Sequence, residues 1–269
     1  MKKFIIGVAI YFLLFIGGVL AQFAPDNIGF QYSEFEKYKK LKVKAQIEKV
    51  YDAEITQDYV VSSVTEFAKD GKILRTIYNP ELHSEEAMDT VKYIYAYYPN
   101  GKILSMEVYG VDMYPLEFGY EYNNKDQLIK SNVASAEARK YSYEYDEKGN
   151  IKRSVGLGAF FEYDDVGEPI GDTQWVGMEE FKYTWNEKGL LVAETMMMQG
   201  EFYYHAEYFY NEKDQLVKQG YSYDVANQNT FSTDLAFTYD KNGLLIARVF
   251  SYPDTEEKYE SIFEYTYYK

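Results

Sequence analysis

The sequence predicts an all-β protein: an antiparallel up-and-down meander of repeated β-hairpins, about fifteen strands in all, strongly curled or closed into a barrel. Three observations carry that prediction. One short segment recurs seven times: an aromatic residue, four turn residues ending in Gly or Asp, one more residue, then Ile or Leu. Aromatic residues alternate with others before each turn, as in Tyr141, Tyr143, Tyr145 and Phe181, Tyr183, Trp185, and a period of two means strand. Finally, two strands per copy and one at the chain end exceed the ~10 that an open sheet holds before it curls or splits.

At the N-terminus, Lys2 and Lys3 precede an apolar run from Phe4 to Leu20, and Val19-Leu20-Ala21 places small residues where signal peptidase needs them. Residues 1–21 therefore read as an export signal cleaved before Gln22, against the alternative of an uncleaved anchor. Cleavage removes two lysines and no acids, taking the net charge from −15 to −17. The remainder, 22–269, reads as a single β-repeat domain, with 22–50 as an N-terminal arm and first strand. Ser33 to Lys40 suits a short helix, and Leu41, Val43, Ala45 and Ile47 alternate with polar residues as a strand does. Six lysines lie between Lys37 and Lys49. They read as blunting an exposed edge strand, with a docking patch for an anionic surface as the alternative.

The copies start at Phe67, Tyr97, Tyr122, Tyr145, Trp185, Tyr210 and Tyr239, and their turns end at Gly71, Gly101, Asp126, Gly149, Gly189, Asp214 and Gly243. In Tyr145-Asp146-Glu147-Lys148-Gly149, Asp opens a type I turn and Gly supplies the left-handed residue that closes it. The expected register sets Tyr145 against Ile151, Glu144 against Lys152, Tyr143 against Arg153 and Ser142 against Ser154. The same offset opposes Lys182 and Glu194. Asp126 and Asp214 stand where φ is positive, which Asp tolerates better than most residues. A degenerate copy at Tyr163 to Ile170, with Pro169 in the aliphatic position, reads as an edge or long loop. Longer, irregular connections are expected at Asn79 to Thr90, Val155 to Glu180 and Gly220 to Asp234. Phe263, Tyr265 and Tyr267 repeat the approach strand, so the chain stops on a strand.

The copies Tyr-Asp-Glu-Lys-Gly-Asn-Ile (145–151), Trp-Asn-Glu-Lys-Gly-Leu-Leu (185–191) and Tyr-Asp-Lys-Asn-Gly-Leu-Leu (239–245) resemble the YD (RHS-type) repeat. The likeness is strongest to short versions in exported Bacteroidota proteins, some described as porin-like, and runs over roughly residues 60–269. It implies a β architecture and a sugar-binding role in some relatives, and it brings no catalytic motif.

Composition narrows the function. With no cysteine, thiolate metal sites and Cys nucleophiles are excluded. Only His83 and His205 are available to a His-rich site, and a charge of −15 disfavours nucleic acid. No cofactor or catalytic residue is expected. Arg75, Glu107, Lys130, Arg153 and Lys218 read as sharing the aromatic face, and Glu144, Lys152, Lys182 and Glu194 the reverse. Neither face then suits lipid, since a Lys or Arg at the bilayer midplane costs about 2 to 4 kcal/mol, so the mature chain is not expected to insert. The candidate binding residues are Phe160, Phe161 and Trp175 in the long central connection, and the ring-and-cation pairs Tyr143 with Arg153 and Tyr208 with Lys218. Asp164, Asp165, Glu168 and Asp172 read as a solvated acidic loop, and Met196 to Met198 as local packing. The expected function is that of an exported, periplasmic or extracellular, non-catalytic protein presenting a surface for a glycan or an envelope or extracellular protein. The alternatives are an extracellular carbohydrate hydrolase and a structural subunit of an envelope assembly.

Overall fold

The structure, a computed structural model, describes residues 28–52, 58–79, 82, 90–110, 115–134, 139–163, 169–226, 228, 230–253 and 257–269. Residues 1–21, read from sequence as an export signal, and the acidic residues Asp164, Asp165 and Glu168 lie outside them. One helix, α1 (Ile28–Leu41), precedes the strands. Lys39 and Lys40 occupy its last turn, where cations complement the negative end of the helix dipole. Lys42, at φ 54°, then turns the chain into the first strand.

Sixteen strands follow. They are β1 (Val43–Asp52), β2 (Asp58–Phe67), β3 (Ile73–Tyr78), β4 (Thr90–Tyr97), β5 (Ile103–Tyr109), β6 (Leu116–Tyr122), β7 (Leu128–Ala134) and β8 (Arg139–Tyr145). The meander continues through β9 (Ile151–Tyr163), β10 (Pro169–Trp185), β11 (Leu191–Met198), β12 (Glu201–Tyr210), β13 (Leu216–Ser222), β14 (Thr233–Tyr239), β15 (Leu245–Ser251) and β16 (Lys258–Tyr267). Each strand hydrogen-bonds to the next, and β1 returns to β16, so the sheet is a closed antiparallel barrel. The count exceeds the expected fifteen because β1 adds a strand ahead of the first repeat copy.

All seven turns form with one hydrogen-bond pattern. In the Tyr145 copy, the Asp146 amide donates to Asn150 O and the Gly149 amide to Asp146 O, and the other six repeat both bonds. Every turn-ending residue has positive φ, from 58° at Asp126 and Asp214 to 89° at Gly149. Side chains reinforce the turns: Asp146, Asn186, Asn211 and Asp240 each accept the backbone amide four residues on. The aromatic residue that opens a copy also ties it to its neighbour. Tyr145 donates to Leu128 O, Trp185 to Ile151 O and Tyr210 to Leu191 O, at 2.7, 2.6 and 2.9 Å. Asp214→Gly should raise stability by a few tenths of a kcal/mol in thermal unfolding, because relief of the left-handed strain outweighs an exposed ion pair with Lys188.

The register departs from expectation one residue past the turn. Tyr145 does face Ile151, but a bulge at Lys152 then sets Glu144 against Arg153, Tyr143 against Ser154 and Ser142 against Val155. The same shift occurs just before Phe67, Tyr122, Trp185, Tyr210 and Tyr239. A bulge adds a residue to one strand and increases local twist, which bends a sheet toward closure. It also exchanges the faces of everything beyond it. Arg75, Lys130 and Arg153 therefore stand opposite Glu66, Glu121 and Glu144 and away from the aromatic row. Glu194 moves the other way, opposite Tyr183, while Lys182 meets Thr195.

Packing divides the described residues into two compact units: those within Met1–Ile94, Glu107–Pro115 and Ile262–Lys269, and those within Tyr95–Met106 and Leu116–Ser261. In the first, Phe35, Val43, Phe67, Val91, Tyr93 and Val108 are buried, and Tyr38 of α1 lies 4.5 Å from the Phe67 ring. In the second, Met106, Phe118, Tyr120, Leu128, Tyr143, Tyr183 and Ala206 are buried. Hydroxyl pairs tie its tyrosines together: Tyr143 with Ser131 at 2.9 Å and Tyr183 with Ser154 at 3.0 Å. The opposite face there carries an ion-pair row that links Glu144 to Arg153, Arg153 to Glu180 and Glu180 to Lys182. No helix among the described residues is long and apolar enough to cross a membrane.

The central connection is strand, where a loop was expected. Pro169 pairs with Tyr163, and β9 and β10 form one long hairpin. Its glycines resemble loop punctuation in the sequence, yet two of them make room for packing. A Cβ at Gly156 would stand 2.8 Å from the Tyr141 ring, and one at Gly158 would overlap the Met178 sulfur.

Candidate functional site

Ala206 of β12 creates the central feature of the second unit. It is fully buried, with Glu194 beside it on β11 and Tyr221 beside it on β13. Tyr204 and Tyr208 project from the same face, two residues to either side, within diagonal reach of a cross-strand neighbour. Because Ala206 contributes only a methyl group, both tyrosines close over it. The Tyr204 hydroxyl donates to Glu194 Oε1 at 2.7 Å, and the Tyr208 hydroxyl also bonds this carboxylate. Tyr221 packs edge-on to Tyr204 at 5.6 Å and accepts from Gln219 Nε2.

Burial pushes the Glu194 carboxyl above the ordinary glutamate range, and the tyrosine hydroxyls only partly oppose this. Burial likewise raises Tyr208 well above the usual phenol range, reinforced by the Glu194 charge. A carboxyl whose folded pKa is raised favours the folded state below its unfolded pKa, and that contribution is lost as pH rises toward the folded value. Glu194→Gln keeps an acceptor for Tyr204 and removes the charge. It should be more stable than the parent at neutral pH, by about 1.4 kcal/mol for each pH unit separating the folded and unfolded titrations. The advantage should vanish in acid, as checked by denaturant unfolding across pH.

Above this network, aromatic rings gather at the end of the strands remote from the repeated turns. Tyr223 lies 6.5 Å from Tyr204. Phe250 packs on Tyr252 and Tyr259 at 4.9 and 6.4 Å, and Tyr252 lies within electrostatic reach of Tyr223. Tyr223 and Tyr259 keep 54% and 41% of their surface exposed. A second buried carboxylate, Glu179 on β10, is held by Arg139 at 2.6 Å and Tyr141 at 2.9 Å. Burial, then the Glu179 charge, raises the Tyr141 hydroxyl to about 12.

Of the residues singled out from sequence, Tyr208 enters this site. Its expected partner Lys218 does not: Tyr208 faces Gln219, and Lys218 faces Phe209, pairs with Asp234 at 3.0 Å and lies over Phe231. Tyr143 and Arg153 are also separated, since the bulge turns them to opposite faces. Tyr143 is buried against Ser131, and Arg153 is spanned by Glu144 and Glu180. Trp175 is a strand residue half-buried under Lys140, whose Nζ stands 3.8 Å from the ring centroid. Phe160 and Phe161 belong to β9, and their side chains lie outside the described residues. Glu194, Tyr204, Tyr221, Tyr223 and Tyr259 were not anticipated. Their one sequence signal is the Ala flanked by Tyr204 and Tyr208, and it becomes readable only once the bulge parity is known. Among the described residues, no group of three or more acids or histidines is placed to hold a metal ion.

Fold and site thus define a closed antiparallel β-barrel with a tyrosine-lined carboxyl cluster below an aromatic rim. No family model matches the chain, and no curated protein matches it. Among solved structures it is similar to a porin-like protein from Bacteroides uniformis ATCC 8492, 9% identical over 83% of this chain and 97% of that one, with a TM-score of 0.47. It is also similar to a porin-like protein from Bacteroides vulgatus ATCC 8482, 11% identical over 83% and 99%, with a TM-score of 0.45.

Proposed function

We propose that this chain is an exported, non-catalytic β-barrel that binds a glycan at its aromatic rim. The observation that carries the reading is the Tyr223, Tyr252 and Tyr259 group, two of whose rings are substantially exposed, set above the hydroxyl network around Glu194. Tyrosine rings offer flat apolar faces with a polar edge, which suits the apolar faces and hydroxyl rims of sugars. Seven matching hairpins support the YD-type reading of the repeat, and residues 1–21 support export to the periplasm or beyond.

The non-catalytic reading rests on spacing. Glu179 faces Met198, four residues from Glu194 along β11, so the two sheltered acids stand about 14 Å apart along the strand. Glycosidases need their acid pair within about 5 to 10 Å. The ion-pair row from Glu144 to Lys182 supports a barrel whose outer face meets water, because charge at the bilayer midplane is costly.

The test is a glycan array probed with the parent and with Tyr223→Ala/Tyr259→Ala. The parent should be retained by at least one glycan class and the variant should lose at least about tenfold in affinity, the scale of one lost stacking anchor, with its melting temperature unchanged. An array with no parent signal at millimolar glycan, or full retention by the variant, overturns the reading.

A further inference from the structure

The lysines near the N-terminus are joined in space by others from distant parts of the sequence. Gly71, in the first repeated turn, packs so closely on α1 that a Cβ there would stand 1.9 Å from Phe35 O and 2.9 Å from the Lys39 amide. The same turn reaches the last residues of the chain. The Tyr268 hydroxyl donates to Phe67 O at 2.6 Å, the Tyr268 amide donates to Lys42 O at 2.8 Å, and Lys69 Nζ lies 6.0 Å from the Tyr268 ring centroid. Three segments, 36–44, 68–72 and 268–269, are thereby gathered at one place in the first unit. They hold eight lysines and two acids, Glu36 and Asp70, in a chain of net charge −15. Glu36 pairs with Lys39, and Asp70 with Lys72. Lys39, Lys40, Lys42, Lys44, Lys69 and Lys269 are exposed.

We propose that this lysine cluster docks the protein peripherally on an anionic phospholipid surface. The lysines of β1 do not blunt a strand edge, as the sequence suggested, because closure of the barrel pairs β1 with both β2 and β16, and a turn and the final residues add three more lysines at the same place. The cations come from a helix end, the start of β1, a turn and the chain's final residues, so they form a spread of point charges suited to many phosphates. Each Lys near an anionic leaflet adds to the attraction, while the acidic remainder of the molecule is repelled and fixes the orientation.

The experiment uses the processed chain, residues 22–269, sedimented with phosphatidylcholine vesicles with and without phosphatidylglycerol, at low and high salt. Binding should require phosphatidylglycerol and fall steeply with salt. The Lys40→Glu/Lys44→Glu/Lys69→Glu variant should partition at least about tenfold less. The matching Gln variant should fall between, and both should keep the parent's circular dichroism. Charge reversal at the other turns, in Lys125→Glu/Lys148→Glu/Lys213→Glu, should change little. Equal binding to neutral vesicles, equal loss in the control variant, or capture by inorganic polyphosphate without vesicle binding overturns the proposal.

Discussion

Gly71→Ala should cost at least about 3 kcal/mol, against about 1 kcal/mol for Gly101→Ala, although both glycines hold nearly the same backbone conformation. Their φ values are 87° and 84°, so the left-handed strain of an L-residue is common to both. What differs is space. A Cβ at Gly101 meets nothing within 4 Å, whereas at Gly71 it overlaps the Phe35 carbonyl. That atom is backbone, so relief requires α1 to lift from the turn, carrying Tyr38 off Phe67. Thermal unfolding measures the gap between the two variants, and far-ultraviolet dichroism should show helix loss in the first alone. Equal losses would mean that the helix does not rest on that turn.

Arg139→Leu should destabilise by about 3 kcal/mol, because it leaves the Glu179 carboxylate sheltered and without its cation. The Glu179 side chain is 8% exposed, and Arg139 bonds it at 2.6 Å. Tyr141 still donates one hydrogen bond, which is not enough to offset a buried charge. The double variant Arg139→Leu/Glu179→Leu should recover much of the loss, since a charge pair replaced by apolar groups of similar size is often neutral. Urea midpoints of the two variants decide this. If the single variant matches the parent, the pair is solvated and contributes nothing.

The hairpins were legible because their signal is local. A turn needs one residue at positive φ, and in five of the seven an acceptor side chain also takes the amide four residues on; both features are written in consecutive letters, as in Asp146 to Asn150. The helix before β1 and the strand on which the chain ends were legible for the same reason. Loop and strand were confused between Val155 and Glu180, where Gly156 and Gly158 serve packing against Tyr141 and Met178.

By itself, the sequence determined that seven like turns alternate with aromatic strands, because backbone preference and period-two patterning act over a few residues. Only the tertiary structure decided which face each side chain occupies, since the bulge beside six of the seven turns belongs to the pairing of neighbouring strands and no run of letters marks it. That one-residue shift parts Tyr143 from Arg153 and places Glu194 among tyrosines. The lysine cluster was likewise settled by folding, because the segments that carry Lys40, Lys69 and Lys269 are brought together only through the packing of α1, the first turn and the residues after the last strand.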